Sequence, residues 1–270
     1  MPLSLSKAVQ QIIREAGEVG QWFWQKGWAE KNAGNLSVDI TDYVSIAPAK
    51  LKAFTVRPQV GLPAELAGRS YLVTGTGIRY RDIQKQPAVC LCVLQISRNA
   101  KGYHLLWGGK REGFKPTSEL LSHLQMQYSL HKSKAKENVV LHTHPNELIA
   151  LSHLPETMGE EELNFALWSM IPEAKIFVPK GIGWTPYRLT ATQSLADVTV
   201  QALERKHKVV LWEKHGVLAV GSDALEAFDL IDALNKAATL YLLCKQTGQK
   251  PQGLSREQID EIGRTFPPKD

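Results

Sequence analysis

Apolar residues recur at helical spacing from Ser4 to Gly27, at Val9, Ile12, Ile13, Ala16, Val19 and Phe23. This predicts an amphipathic helix opened by serine and stopped by glycine. Trp22, Phe23, Trp24 and Trp28 at its end read as packing or interface aromatics. A turn at Asn32–Asn35 leads into an alternating strand, and residues 41–69, with Pro48, Pro58 and Pro63, read as an irregular excursion. Strands are predicted at Tyr71–Thr74, Val89–Ile96 and Tyr103–Trp107. A long helix opens at Pro116-Thr117-Ser118-Glu119, with Thr117 as its N-cap, and continues through Leu130. Val139–Leu141 reads as a buried strand, and Asn146, an N-cap residue type, opens a short helix after it.

Further on, Glu160–Met170 is predicted helical and residues 171–179 form a loop into a short strand. A helix over Thr192–His207 precedes a hairpin over Val209–Val220. Helices opened by Asp223 and Ser255 close the chain. Short strands alternating with helices, with hairpins at both ends, predict an α/β fold with a mainly antiparallel central sheet covered by helices. Residues 1–270 fit a single domain, within which residues 1–85 could form a smaller N-terminal lobe.

Composition is that of an ordinary globular protein: 43% hydrophobic and 22% charged. The net charge is +5, but lysines and arginines are scattered, which argues against nucleic acid and fits a small anionic substrate. Cys90 and Cys92 read as buried thiols of one strand; with Cys244 they suggest a reduced protein of the cytoplasm. No stretch has signal-peptide or membrane-spanning character, so no membrane association is expected.

His142 and His144 lie at the mouth of the 139–141 strand. Residues i and i+2 of extended chain point to one side, so both imidazoles can converge on one divalent ion. His215, on a His-Gly turn, is the best third ligand, since a catalytic zinc usually takes three protein ligands and keeps one position open. The same residues also read as a strand cap, a surface residue and a turn residue. Asn32 and Asn35 either stabilise a turn or face an anion. Gly75-Thr76-Gly77 is too short a pattern to establish phosphate binding alone. Thr117, Ser118 and Glu119 serve equally as a helix start or as a phosphate cradle with a base beside it. Glu173 reads as an exposed glutamate.

Taken together, six stretches resemble the class II aldolase and adducin family: Lys26–Leu36, Val73–Gly77, Gly102–Gly108, Pro116–Leu120, Leu141–Leu151 and Leu211–Gly221. They occur in the right order across roughly residues 20–265. The resemblance implies zinc, one per subunit, on His142, His144 and His215, and a phosphorylated sugar as substrate. Asn32, Asn35, Thr76, Thr117 and Ser118 would line the phosphate pocket. Glu119 would be the carboxylate beside the metal, and Glu173 a proton-transfer residue borrowed from an adjacent subunit. A homotetramer with active sites at subunit interfaces is likewise implied. Ala33 stands where glycine is expected, and Thr76 where relatives often carry serine. The implied reaction is metal-dependent retro-aldol cleavage. Another class II sugar-phosphate aldolase, a sugar-phosphate 4-epimerase and a non-catalytic, adducin-like interaction domain are the alternatives, and Glu119, where epimerases carry aspartate, favours an aldolase.

Overall fold

The computed structural model describes residues 4–46 and 48–268; Ala47, inside the irregular stretch expected at 41–69, lies outside them. Nine strands form one sheet: β1 (Asn35–Asp39), β2 (Val56–Pro58), β3 (Ser70–Thr74), β4 (Leu91–Ile96), β5 (Gly102–Gly108), β6 (Val139–Thr143), β7 (Ile182–Thr185), β8 (Val209–Trp212) and β9 (Gly216–Gly221). Their order across the sheet is β2-β5-β4-β3-β1-β6-β9-β8-β7. Every pairing is antiparallel except β7 with β8, which is parallel.

The helices are α1 (Lys7–Gln25), α2 (Pro48–Leu51), α3 (Pro87–Cys90), α4 (Leu120–Lys132), α5 (Asn146–Leu151), α6 (Glu160–Met170), α7 (Pro172–Phe177), α8 (Gln193–Glu204), α9 (Ala224–Gln246) and α10 (Arg256–Thr265). Helices α1 and α9 cover one face of the sheet, where Phe23, Leu36, Val38, Leu141, Ala219 and Ile231 share the largest core cluster. Helices α4 and α8 cover the other face through Met126, Leu195 and Ala202, packed on Val140, Val210 and Leu218. Alternation along β1 and β6 therefore sends Leu36, Val38 and Leu141 to the first face. Asn35, Ser37, Val140 and His142 go to the second. Phe23 and Trp28 are buried, whereas Trp24 is 48% exposed beneath Arg81.

Five local expectations change. Helix α4 begins at Leu120 with Glu119 as its cap residue. Thr117 is held extended because its N–H donates to the Thr74 carbonyl and Pro116 bridges to Gly75, so its hydroxyl accepts from the Glu119 N–H without capping a helix. Asn146 is the first residue of α5, after Pro145 as cap. Residues 172–177 are a helix, since Pro172 at its first position is already set to a helical φ. The strand expected there comes later, as β7. Cys90 closes the helical turn α3 while Cys92 lies in β4; both are buried free thiols, and burial pushes them up to about 11 and about 12. Within 41–69, β2 pairs with β5 as an edge strand, because its register brings Val56 opposite His104.

Between α4 and β1 lies a polar layer: Ser37 and His123 are fully buried and Gln127 is 1% exposed. Burial pushes the His123 imidazole down to about 3, from an ordinary value of about 6.5. The unfolded chain therefore takes up this proton below about pH 6.5 and the folded chain does not. His123 leaves stability whole above that pH and reduces it by about 1.4 kcal/mol per unit as pH falls toward about 3.

Two predictions arise. Denaturant melts between pH 7 and pH 4 should fall less steeply for His123→Gln than for the wild type, by about one proton; parallel slopes would refute this origin of acid lability. Gly34 and Gly68 share a left-handed backbone, at φ +83° and +80°, but differ in room. A Cβ at Gly34 would stand 2.6 Å from the Tyr80 ring and 2.8 Å from the His142 carbonyl oxygen, whereas one at Gly68 meets nothing within 4 Å. Gly68→Ala should cost about 1–2 kcal/mol. Gly34→Ala should cost about 1–3 kcal/mol more, from overpacking. Equal losses would show that the contact is not limiting.

Candidate metal centre and carboxylate site

His142, His144 and His215 come together at the end of β6, with one ring nitrogen from each lying within 4.8 Å of the others. β6 supplies His142 from its last turn of register and His144 from just beyond its end. The chain there is pinned by Trp28, whose carbonyl accepts from the His144 N–H and the Thr143 hydroxyl, at 3.0 and 2.8 Å. His215 comes from the β8–β9 turn, which closes through Lys214 at φ +58° and its N–H to the Ser152 hydroxyl. The next residue must be glycine. A Cβ at Gly216 would sit 2.8 Å from ring carbons of both His142 and His144.

The rings are oriented by their far nitrogens. His142 Nδ1 lies 3.0 Å from the Val217 carbonyl, an acceptor only, so Nδ1 carries the proton and Nε2 keeps its lone pair. His144 Nδ1 lies 2.8 Å from a Glu30 carboxylate oxygen and is fixed in the same way. A carboxylate or carbonyl behind a histidine is the usual support of a metal ligand. Trp212 walls the cluster, its ring 4.4 Å from that of His142 and 5.1 Å from that of His215. Burial, then repulsion from His144 and His215, holds His142 well below its ordinary value; burial, then His144, pushes His215 down to about 4. Both rings are neutral at neutral pH and have lone pairs to give.

The residues fit a divalent ion. The buried Nδ1 of His215 has no hydrogen-bond partner, an orphan that costs free energy unless something binds it. Three imidazoles suit zinc. Two bonds of about 2.1 Å span no more than about 4.2 Å, close to the 4.8 Å within which the three ring nitrogens lie.

Glu119 stands beside this cluster. It is 7% exposed, and Asn35 Nδ2 donates to its Oε2 at 2.6 Å. Asn35 is the register partner of His142 across β1 and β6, so carboxylate and imidazoles share one face of the sheet. Burial raises the Glu119 carboxyl above the usual carboxylate range; the Asn35 amide, the charge of His144 and the Ala191 N–H offset part of that.

The remaining residues divide. Thr76, Thr117 and Ser118 line one cleft of about 750 Å³, with Arg57, Arg111 and Lys115 around it. Thr76 gives its hydroxyl proton to the Pro116 carbonyl at 2.6 Å and its N–H to Lys115, and must release one to serve a ligand. Asn35 lies apart from that cleft lining and spends its amide on Glu119. Asn32 is exposed on the loop before β1. Glu173 is exposed in the first turn of α7, which packs on α6, α9 and α10. Sequence reasoning missed Glu30, Trp212, the three cleft cations and His123, although Glu119 and His123 stand at i and i+4, on one face of a helix.

The profile of the class II aldolase and adducin N-terminal domain matches residues 14–242. The chain is 38% identical to rhamnulose-1-phosphate aldolase of Bacteroides thetaiotaomicron over 260 residues, covering 96% of this chain and 95% of that one. Against rhamnulose-1-phosphate aldolase of Pectobacterium atrosepticum the identity is 34%, over 96% and 93%. Among solved structures, a sugar-phosphate aldolase from Thermotoga maritima superposes with a TM-score of 0.76 at 31% identity, over 91% of this chain and all of that one. An L-fuculose 1-phosphate aldolase, at 18% identity and a TM-score of 0.62 over 97% and 98%, shares the fold. The chain belongs to the class II aldolase and adducin family.

Proposed function

We propose that this chain is a lyase, a metal-dependent class II aldolase that cleaves L-rhamnulose 1-phosphate to dihydroxyacetone phosphate and L-lactaldehyde. The observation that carries the reading is the buried Glu119 carboxylate, aimed by Asn35 at the face where three histidines converge. The relatives' names supply the substrate. A zinc ion on His142, His144 and His215, one per subunit, would act as a Lewis acid on the substrate's ketone.

The chain's own residues do the rest. Glu119 exchanges the proton on the carbon that becomes the nucleophile. Its raised pKa suits it to accept that proton, and such a role is worth about 10²–10⁴-fold. Thr117 and Ser118, with Thr76 once released from Pro116 and with Asn32, receive the phosphate. Arg57, Arg111 and Lys115 add positive charge around the same cleft. Holding the phosphate fixes where the reacting carbon lies, which converts binding into orientation. Glu173 carries the proton on the aldehyde-derived oxygen from a neighbouring subunit of a homotetramer, which accounts for its exposure on a single chain. The protein works in the cytoplasm; among the described residues no helix is long and apolar enough to cross a membrane.

Chelator-treated protein should lose cleavage of L-rhamnulose 1-phosphate, read by a coupled assay for dihydroxyacetone phosphate, and regain it with zinc. Fuculose 1-phosphate should be a poor substrate. Zinc-loaded protein that cleaves neither sugar sinks the aldolase reading. Glu119→Gln should lower kcat by about 10²–10⁴-fold with zinc content intact, while Glu30→Gln should weaken zinc binding by about 10–100-fold. Unchanged zinc affinity in the second variant would remove Glu30 from the support of His144.

A further inference from the structure

Four buried side chains run in line beneath α4 and end at Glu119. Gln127 Nε2 contacts the Ser37 hydroxyl at 3.1 Å and the backbone carbonyls of Ser37 and Asn138 at 3.2 and 3.0 Å. Ser37 Oγ lies 2.9 Å from His123 Nδ1, His123 Nε2 meets Asn35 Oδ1, and Asn35 Nδ2 meets Glu119 Oε2. His123 is fully buried and belongs neither to the metal cluster nor to the phosphate cleft.

The direction of every hydrogen bond in this chain is determined from its far end. Two backbone carbonyls accept only, so the nitrogen of the Gln127 amide must face them with its two protons, and, having no lone pair to offer, that nitrogen cannot accept from Ser37 Oγ. The Ser37 hydroxyl then has one proton of its own to place, and its free neighbour is His123 Nδ1. That nitrogen accepts, which leaves the proton of neutral His123 on Nε2, and Nε2–H donates to Asn35 Oδ1. The Asn35 amide must then turn its NH₂ to Glu119. In the reverse arrangement His123 would carry its proton on Nδ1 and give it to Ser37. Asn35 would present its oxygen to the carboxylate, and the Ser37 proton would be buried without an acceptor. A buried unsatisfied donor is costly enough to leave the reverse arrangement a minor state.

We infer that His123 is a positioning residue: as the neutral Nε2–H tautomer it locks the Asn35 amide with its nitrogen toward Glu119 and so holds that carboxylate aimed at the three-histidine cluster. The consequence for turnover rests on the aldolase reading; the amide lock does not. His123→Leu removes both bonds and frees the Asn35 amide. His123→Gln keeps an acceptor for Ser37 and a donor for Asn35, so the order of protons is restored without an imidazole.

The experiment measures kcat and KM for L-rhamnulose 1-phosphate, zinc content and thermal stability for both variants, together with the ¹⁵N tautomer signature of His123 and the Asn35 side-chain amide resonances. The expected result has three parts. The wild type carries the Nε2–H tautomer. His123→Leu shifts or broadens the Asn35 amide signals and loses about 10–100-fold in kcat with KM and zinc little changed. His123→Gln recovers most of both. An Nδ1–H tautomer, Asn35 signals indifferent to His123→Leu, or a kcat loss that tracks stability and is not rescued by glutamine would overturn the inference. A zinc-loaded wild type that cleaves no sugar phosphate fails the aldolase reading alone; the tautomer and the Asn35 signals still decide the lock.

Discussion

The register of three antiparallel strands is the constraint on which the rest depends. β1 and β9 flank β6, with Asn35 opposite His142 on one side and Leu218 opposite it on the other. A slip of one residue would turn His142 and Asn35 into the apolar layer beneath α1 and α9, and would send Leu36 and Leu141 to the site. The register is secured by that penalty and by Gly216, whose missing side chain leaves the space that two imidazoles fill. The site is therefore built from the sheet itself, with loops supplying only its last pieces.

The two faces of the sheet carry different loads. Beneath α1 and α9 the packing is mainly apolar, and the aromatic group of Phe23, Trp28, Tyr80 and Phe228 closes it, with ring centroids 5.4–6.1 Å apart. Beneath α4 the strands β1 and β6 bring polar side chains inward, where each must find a partner or destabilise the fold. Ser37, His123, Gln127, Asn35 and Glu119 satisfy one another almost completely. A half-satisfied network would be worse than an apolar core, so the apolar face supplies the stability that lets the polar face keep its charged end.

Much of the fold is legible in the sequence because each signal is local. Helical spacing in residues 4–27, alternation at Asn35–Val38 and the turn chemistry around His215 each state an element, and the elements imply the sheet. The three histidines are legible for the same reason, two by their i, i+2 spacing and one by its glycine. The misreadings arise where tertiary contacts decide. Thr117 looks like a helix cap, but ties to Thr74 and Gly75 keep it extended; residues 172–177 have the apolar content of a strand, but Pro172 starts a helix first. Glu30 and His123 acquire meaning only through partners 114 and 88 residues away, at His144 and Asn35, and no window along the chain contains both members of either pair.

The short strand β2 also governs how molecules of this protein meet one another. Strand β5 is seven residues long, includes Leu105, Leu106 and Trp107, and without β2 would end the sheet with a free row of backbone donors and acceptors, a template for further strands. β2 covers it from Val56 to Pro58 with a half-exposed arginine and a proline that has no N–H to offer. The segment that lends Arg57 to the cleft thus also keeps the sheet finite, and trimming the excursion at 41–69 to make a shorter enzyme would exchange a closed edge for a self-associating one.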